Sequence, residues 1–334
     1  MLAIADANNG ILVFISEEPE KNTLAYLVDC IITLTTEESN GVWLRKMQID
    51  KMRGVAIKRS KMVYTLHDGH FTIAGSKPRA IYVNELFNAI ASKQGYTSTG
   101  NRQLDDALEY GIRNGSVVML EIDNNVNMSY ARIIATNAVL NNIRSDKPAM
   151  VICGSDEPLI KVLNKIVPYC LSYDLSRLMV FAHPSANSEQ EFKTILHELC
   201  TYDKQCITED MIMNLNNDNT ENMALLIDSY IKLKDYSKSM IITVNLIWSE
   251  FEHIKNSLLY GTKLVRNNGD VLLLTVKADS DMADNASMLA DIHIKLCEDS
   301  GTHMLGIKKP FKKLYAMSLD NAHGYHSYSL LPLL

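Results

Sequence analysis

Apolar residues along this chain follow two rhythms. Short unbroken runs rich in Val, Ile and Leu occupy residues 10–16 (GILVFIS), 116–122 (SVVMLEI), 149–153 (AMVIC), 178–182 (LMVFA), 240–246 (MIITVNL) and 271–276 (VLLLTV). Runs of this length, bounded by turn residues, read as strands buried on both faces. Between them the apolar positions spread to helical spacing, over residues 128–143, 158–166, 190–200, 222–234 and 249–260. In the first of these, Ala131, Ile134, Ala135 and Ala138 share one face. Residues 23–29 and 104–110 read as shorter helices, and 288–296 lead into a further strand. Strands alternating with helices predict an α/β fold: a mostly parallel sheet with helices on both faces.

Residues 30–74 have another texture. Segments 30–34 (CIITL), 42–49 (VWLRKMQI), 53–58, 62–66 and 70–73 read as extended, with His67-Asp68-Gly69 as a tight turn between the last two. Residues 42–74 predict a small antiparallel meander, after a separate strand at 30–34. Ser76-Lys77-Pro78 ends the pattern. Residues 81–92 carry apolar positions at helical spacing, and 76–95 read as a connector packed against a neighbour.

The chain also repeats itself. Asn8-Asn9-Gly10 followed by ILVFIS returns as Asn267-Asn268-Gly269 followed by DVLLLTV, and residues 27–34 (LVDCIITL) return as 289–296 (LADIHIKL). Strand–turn–strand text that recurs by chance in an α/β chain explains this, and so does a tandem duplication with a truncated first copy, in which residues 1–75 match the last part of the second unit.

Composition narrows the classes. The 334 residues are 47% hydrophobic and 22% charged, which excludes a disordered chain, a collagen-like repeat and a small disulfide scaffold. The formal charge of −6 lacks the basic excess of a nucleic-acid-wrapping surface, so nucleic acid is disfavoured as a partner. Six scattered cysteines with no CxxC pair read as reduced thiols. Residues 1–12 show no secretory leader, and no apolar run reaches the ~18–20 residues that cross a bilayer. The expectation is a cytoplasmic protein with no membrane anchor. His197, Cys200 and Cys206 match no standard zinc spacing and read as a helix surface with incidental thiols. His323 and His326 read as exposed tail residues. Lys308, Lys309, Lys312 and Lys313 read as a solvated basic face.

Two motifs carry a resemblance. Ser98-Thr99-Gly100 is followed by Leu104-Asp105, Leu108, Gly111 and Gly115-Ser116, then by the strand VVMLEI. Ile49-Asp50-Lys51-Met52-Arg53-Gly54 lies inside the meander, with Gly69 in the next hairpin. The first resembles the entry to the core of KaiC-like and RadA/RecA-like ATPases, the second the KMRG segment near the end of a KaiC-type domain. Archaeal tandem KaiC-like proteins, including the gas-vesicle-regulator (GvpD-like) group, are the nearest match. The resemblance implies a RecA-like sheet with a C-terminal β-meander, preceded by a partial copy of the same domain: residues 1–75 the C-terminal part of a first domain, 76–95 a connector, and 96–334 a second RecA-like domain.

That family binds ATP on a loop reading GxxxxGK[ST] between a strand and a helix, whose backbone N–H groups cradle phosphate while the lysine reaches the β and γ phosphates. The corresponding stretch here is residues 121–129 (EIDNNVNMS). Ile122 and Asn127 stand at the two glycine positions, Met128 stands at the lysine, and only Ser129 survives. A Cβ at a glycine position crowds the backbone approach to phosphate, loss of the lysine removes a cation from a polyanion site, and Asp123 adds repulsion. Family acids expected after the second strand come late, as Asp156 and Glu157. The acid expected at the end of the strand at 240–246 is Asn245, a weak partner for magnesium. ATP and magnesium are therefore disfavoured as cofactors, and no metal site is expected.

Residues two apart on a strand share a face, so Lys51 and Arg53 project together. The resemblance implies that such a pair reaches the ATP of a neighbouring subunit; a solvated basic strand edge explains the pair equally well. Three functions follow. The leading one is a non-catalytic RecA/KaiC-like regulatory or scaffold protein that associates with homologous RecA-like subunits, its own or another's. The second is an ATPase-assembly subunit supplying Lys51 and Arg53 in trans. The third is a DNA-binding, recombinase-like protein.

Overall fold

The computed structural model describes residues 10–17, 24–39, 41–75, 85–183, 194, 211–215, 219–237, 239–246, 254–321 and 323–333. A short helix α1 (Leu24–Leu27) leads into a four-stranded antiparallel sheet of β1 (Cys30–Ser39), β2 (Val42–Met52), β3 (Lys61–Thr65) and β4 (Thr72–Ile73), in that spatial order. Residues 42–73 form the meander expected there, and the strand expected at 30–34 joins it as β1, running on to Ser39. Residues 53–58, read as extended, form a turn and irregular backbone instead. Gly54 sits there at φ 74°, a conformation open to glycine without strain. His67–Gly69 makes the tight turn, with Asp68 at φ 54°.

The predicted strand at 10–16 is a correction. It is irregular, and Ile11, Val13 and Ile15 are 93%, 73% and 92% exposed. A β-branched apolar run becomes a strand only where another edge supplies hydrogen-bond partners; none of the described strands pairs with it. The helical spacing at 81–92 also misleads, since residues 85–92 are irregular. Packing decides this segment. Phe87 is buried against Tyr325 at 4.9 Å between ring centroids, and its N–H donates to Tyr169 O at 2.9 Å. The Asn141 amide exchanges bonds of 2.7 and 3.2 Å with the N–H and C=O of Ile90. The connector thus packs against its neighbour, as expected, without being a helix.

The second unit begins with β5 (Tyr96–Thr97), α2 (Arg102–Ala107) and β6 (Ile112–Arg113). The Ser98-Thr99-Gly100 motif is a structural corner. The Asp105 carboxylate accepts from Ser98 Oγ, and from Thr99 N and Oγ1 at 2.7 Å each. Burial raises the pKa of that carboxyl in spite of the bonds it receives. Gly100, at φ 75°, lies so close to the next helix that a Cβ would stand 2.3 Å from Asn137 O.

There follow β7 (Val117–Ile122), α3 (Ser129–Arg144), β8 (Ala149–Ile152), α4 (Leu159–Leu163), α5 (Ser172–Leu175), β9 (Leu178–Ala182), β10 (Ile212–Asn214), α6 (Asn219–Lys234), β11 (Ile241–Asn245), α7 (Ile254–Asn268), β12 (Val271–Lys277), α8 (Met282–Leu289) and four final strands, β13 (Ile292–Asp299), β14 (Thr302–Lys309), β15 (Lys313–Asp320) and β16 (Ser327–Pro332). The ten-stranded sheet runs β10-β9-β8-β11-β12-β7-β13-β14-β15-β16. It is parallel from β10 to β13 and antiparallel from β13 to β16. This is the RecA-like mostly parallel sheet ending in a meander. One face of β7, through Val118, Leu120 and Ile122, packs with Ala131, Ile134 and Ala138 of α3 in the main core. The opposite face, through Val117 and Met119, packs with Tyr230, Val265 and Met282 from α6, α7 and α8. The helix expected at 190–200 lies outside the described residues except for Thr194. Of the helix expected at 249–260, residues 254–260 are described and belong to α7, which runs on to Asn268.

The four-stranded sheet lays Leu44, Val63 and Ala74 on Cys297, Met304 and Leu314 of the second meander. Arg59 fastens the contact, donating to Ser300 O at 2.6 Å and Thr302 Oγ1 at 2.8 Å. The two meanders share detail. Each first hairpin has a bulge at the same place: Ile31 pairs with Lys51 and Ile32 with Ile49, as His293 pairs with Lys309 and Ile294 with Ile307. Each bulge sends a lysine to the preceding helix, Lys51 Nζ to Ala25 O at 2.8 Å and Lys309 Nζ to Ser287 O at 2.6 Å.

Candidate functional site

In an open parallel sheet the carboxyl ends of the strands form the edge where ligands bind. Here that edge carries the turn of residues 123–128 after β7, residues 153–157 after β8 and Asn245 at the end of β11. The site positions named from sequence therefore fall on one edge. Ile122 ends β7 and is 1% exposed, with its side chain in the main core. Met128 also packs against that core, so the side chain at the lysine position turns inward. Asn127 stands just before the helix, its Oδ1 accepting from Ser129 N at 2.9 Å. Further backbone donors are spent nearby: Asp123 N on Leu296 O and Val126 N on Asp123 O, each at 3.0 Å. No residue from 123 to 128 has positive φ. A phosphate nest alternates right- and left-handed residues so that successive N–H groups converge, and this turn lacks that alternation.

Charge at the turn is paired off as well. Lys295 on β13 reaches Asp123 at 2.6 Å and Glu121 at 3.0 Å. Glu121 also meets His293 Nε2 at 2.6 Å and Lys308 at 3.4 Å. Burial pushes its pKa upward, but hydrogen bonds from His293 and Lys295 prevail and hold it at about 2. Across the turn, Arg132, one helical turn beyond Met128, reaches Asp156 at 2.7 Å and Glu157 at 3.0 Å. Asn245 Nδ2 donates to both acids at 3.3 Å. Gly154 makes room for this, since a Cβ there would stand 2.7 Å from Asn245 Nδ2.

The late acids of the sequence thus return to Asn245, with Arg132 between them. Sequence reasoning missed Arg132, Lys295 and His293, because no motif marks a cation that neutralises an edge. The residues do not fit a bound Mg-ATP: both cations beside the turn already hold two carboxylates each, and the turn backbone does not converge.

Lys51 lies far along the chain, on the four-stranded sheet, with Arg53 just beyond it. They do point the same way, toward α1, but β2 ends at Met52 and Arg53 follows it. Arg53 bonds Asp29 Oδ1 and Tyr26 O at 3.2 Å each. Lys308 and Lys309 are engaged as above, and Lys313 donates to Ala107 O at 2.9 Å, so much of the basic cluster is tied into the fold. His323 Nδ1 lies 3.0 Å from Glu85. His197, Cys200 and Cys206 lie outside the described residues. Cys30, Cys153, Cys170 and Cys297 are free thiols. Among the described residues no helix is long and apolar enough to cross a membrane.

Comparison with known proteins agrees with the fold. Residues 10–77 match the family described as ATPase: KaiC. The chain is 23% identical to Protein GvpD2 of Halobacterium salinarum over 96% of this chain and 65% of that protein. It is 21% identical to Protein GvpD1 of the same organism over 99% of this chain and 69% of that one. It therefore spans about two thirds of the length of these relatives. With the sheet order and the two motifs, these matches support the resemblance to KaiC-like and GvpD-like proteins with a RecA-like fold.

Proposed function

We propose that this chain is a non-catalytic regulatory or scaffold protein that acts by associating with other polypeptides, homologous RecA-like subunits first among them. One observation carries the reading. The turn after β7 keeps its place in the fold, while its backbone forms no phosphate nest and Lys295 and Arg132 are each committed to two carboxylates. An ATP triphosphate entering there would have to displace these pairs and would add its own negative charge to four carboxylates.

Titration calorimetry with Mg-ATP tests this directly. No saturable binding and no turnover above blank is the expected result. Met128→Lys alone leaves both unchanged, because the new lysine starts from a position packed on the core beside a turn of the wrong shape. Tight binding by the unaltered chain would overturn the reading. The bonds of Lys51 and Arg53 to their own helix and loop favour a structural role for that pair. Arg53→Ala is accordingly expected to leave the ATPase rate of a mixed assembly unchanged; a lowered rate with assembly intact would support the trans-acting alternative.

A further inference from the structure

We infer that the cavity between the ten-stranded sheet and helices α6 and α7 is a binding site for a neutral, apolar small molecule of one or two fused rings. The cavity measures about 190 Å³. Its floor is the sheet face bearing Met150 of β8, Ile242 of β11 and Leu272 of β12, and its walls include Leu226 of α6 and Leu258 of α7. An engineered apolar cavity of about 150 Å³ stays dry and takes up benzene, so this one has room for slightly more.

Two features hold the space open. The first is Gly261. Leu258, Gly261 and Val265 share one face of α7, and Leu258 and Val265 are buried in the core beneath it. A side chain at 261 would point the same way, yet a Cβ there would meet no atom within 4 Å. Glycine disfavours a helix interior, and no positive φ calls for it here. Its effect is to leave room. The second feature is a buried carboxylate that props α6. Asp270, 0% exposed, accepts from Tyr230 Oη at 2.5 Å and Lys234 Nζ at 2.8 Å on α6, and from Met240 N at 2.9 Å just ahead of β11. The Tyr230 ring lines the cavity, and these bonds keep it and α6 from settling inward.

The lining selects the ligand. Among the described residues no Asp, Glu, Lys, Arg or His faces the cavity, so a charged guest would lose its water and gain no partner. Two of the polar groups that do line it are committed, Tyr230 to Asp270 and Asn245 Nδ2 to Asp156 and Glu157 at 3.3 Å. Burial of apolar surface then supplies the affinity. Asn245 also ties the cavity to the sheet edge, because the side chain that lines it is the one that holds those two acids.

The proposal goes beyond the association reading and does not rest on it. The probe is naphthalene, added to the full chain with isotope-labelled methionine methyl groups. Saturable ring-current shifts are expected at Met150, Met223 and Met282, which line the cavity, and not at Met47, Met62 or Met304 in the meanders. Naphthalene-2-sulfonate, of similar shape but charged, is expected to bind at least tenfold more weakly. Gly261→Leu and Leu226→Trp fill the space from α7 and from α6. Each is expected to weaken naphthalene binding at least tenfold with circular dichroism unchanged, and two walls are used so that one misfolded variant leaves the other to decide. Four results would overturn the proposal: no saturable shift; shifts of equal size at the meander methionines; unchanged affinity in a folded variant that fills the space; or Met150 and Met282 methyls in contact with another segment of the chain and indifferent to naphthalene, meaning that the chain fills its own cavity.

Discussion

At the scale of single residues, the turn after β7 is held by side-chain burial and by paired charges. Val126 and Met128 belong to or pack against the core, so the loop is held by burial where a phosphate-binding loop relies on glycines. The carboxylates around it are held by cations, and Glu121 shows this most clearly. Its folded pKa of about 2 lies below the ordinary 4.5, so folding favours its charged form. That contribution is fully present above pH 4.5 and is lost as the pH falls from 4.5 toward 2. Urea midpoints measured across this window are expected to fall with acid in the unaltered chain and to fall less steeply in Glu121→Gln, whose stability is already lower at neutral pH. Gly100 gives a second test. Alanine there must adopt φ 75° and press on Asn137 O, where the left-handed backbone alone costs about 1–2 kcal/mol. A lowered melting temperature of Gly100→Ala checks it; an unchanged one would show that α3 can retreat.

Elements were legible to different degrees. β7, β9 and β12 lie where their apolar runs predict, because a strand buried on both faces must be apolar throughout and little else in a sequence looks like it. Residues 10–16 have the same texture and no strand, since texture reports burial preference and pairing needs a neighbour. Residues 85–92 fail in the opposite sense. Their spacing suits a helix, but the backbone is held by Tyr169 O and the Asn141 amide, partners distant in sequence. Phe87→Ala is accordingly expected to destabilise the fold by about 3–5 kcal/mol, read as a loss in denaturant midpoint. A change under 1 kcal/mol would mean that the connector is held by its backbone bonds alone.

For the whole molecule, the notable arrangement is two meanders face to face. The first packs Leu44, Val63 and Ala74 on the second, and Lys46 joins Glu37 and Asp299 at 3.0 Å each. Among the described residues nothing covers Ile32 and Leu34 on β1, which are 53% and 54% exposed. Leu44→Ala removes a fully buried side chain and is expected to cost about 2–5 kcal/mol. Hydrogen exchange should then accelerate across β2 and β3 while β7 and β12 keep their protection. Uniform acceleration would mean that the two sheets unfold as one unit.

Read alone, the amino-acid order determined the alternation of strands and helices, the KaiC-like motifs, the recurrence of two short segments and the absence of glycine and lysine from the loop before α3. Each is a local property, written in composition and spacing within a few residues. Tertiary structure decided the rest: that Arg132 and Lys295 neutralise the sheet edge, that residues 85–92 are not helical and that, among the described strands, β1 pairs only with β2. Those outcomes depend on which groups meet across tens or hundreds of residues, and local spacing carries no record of such meetings.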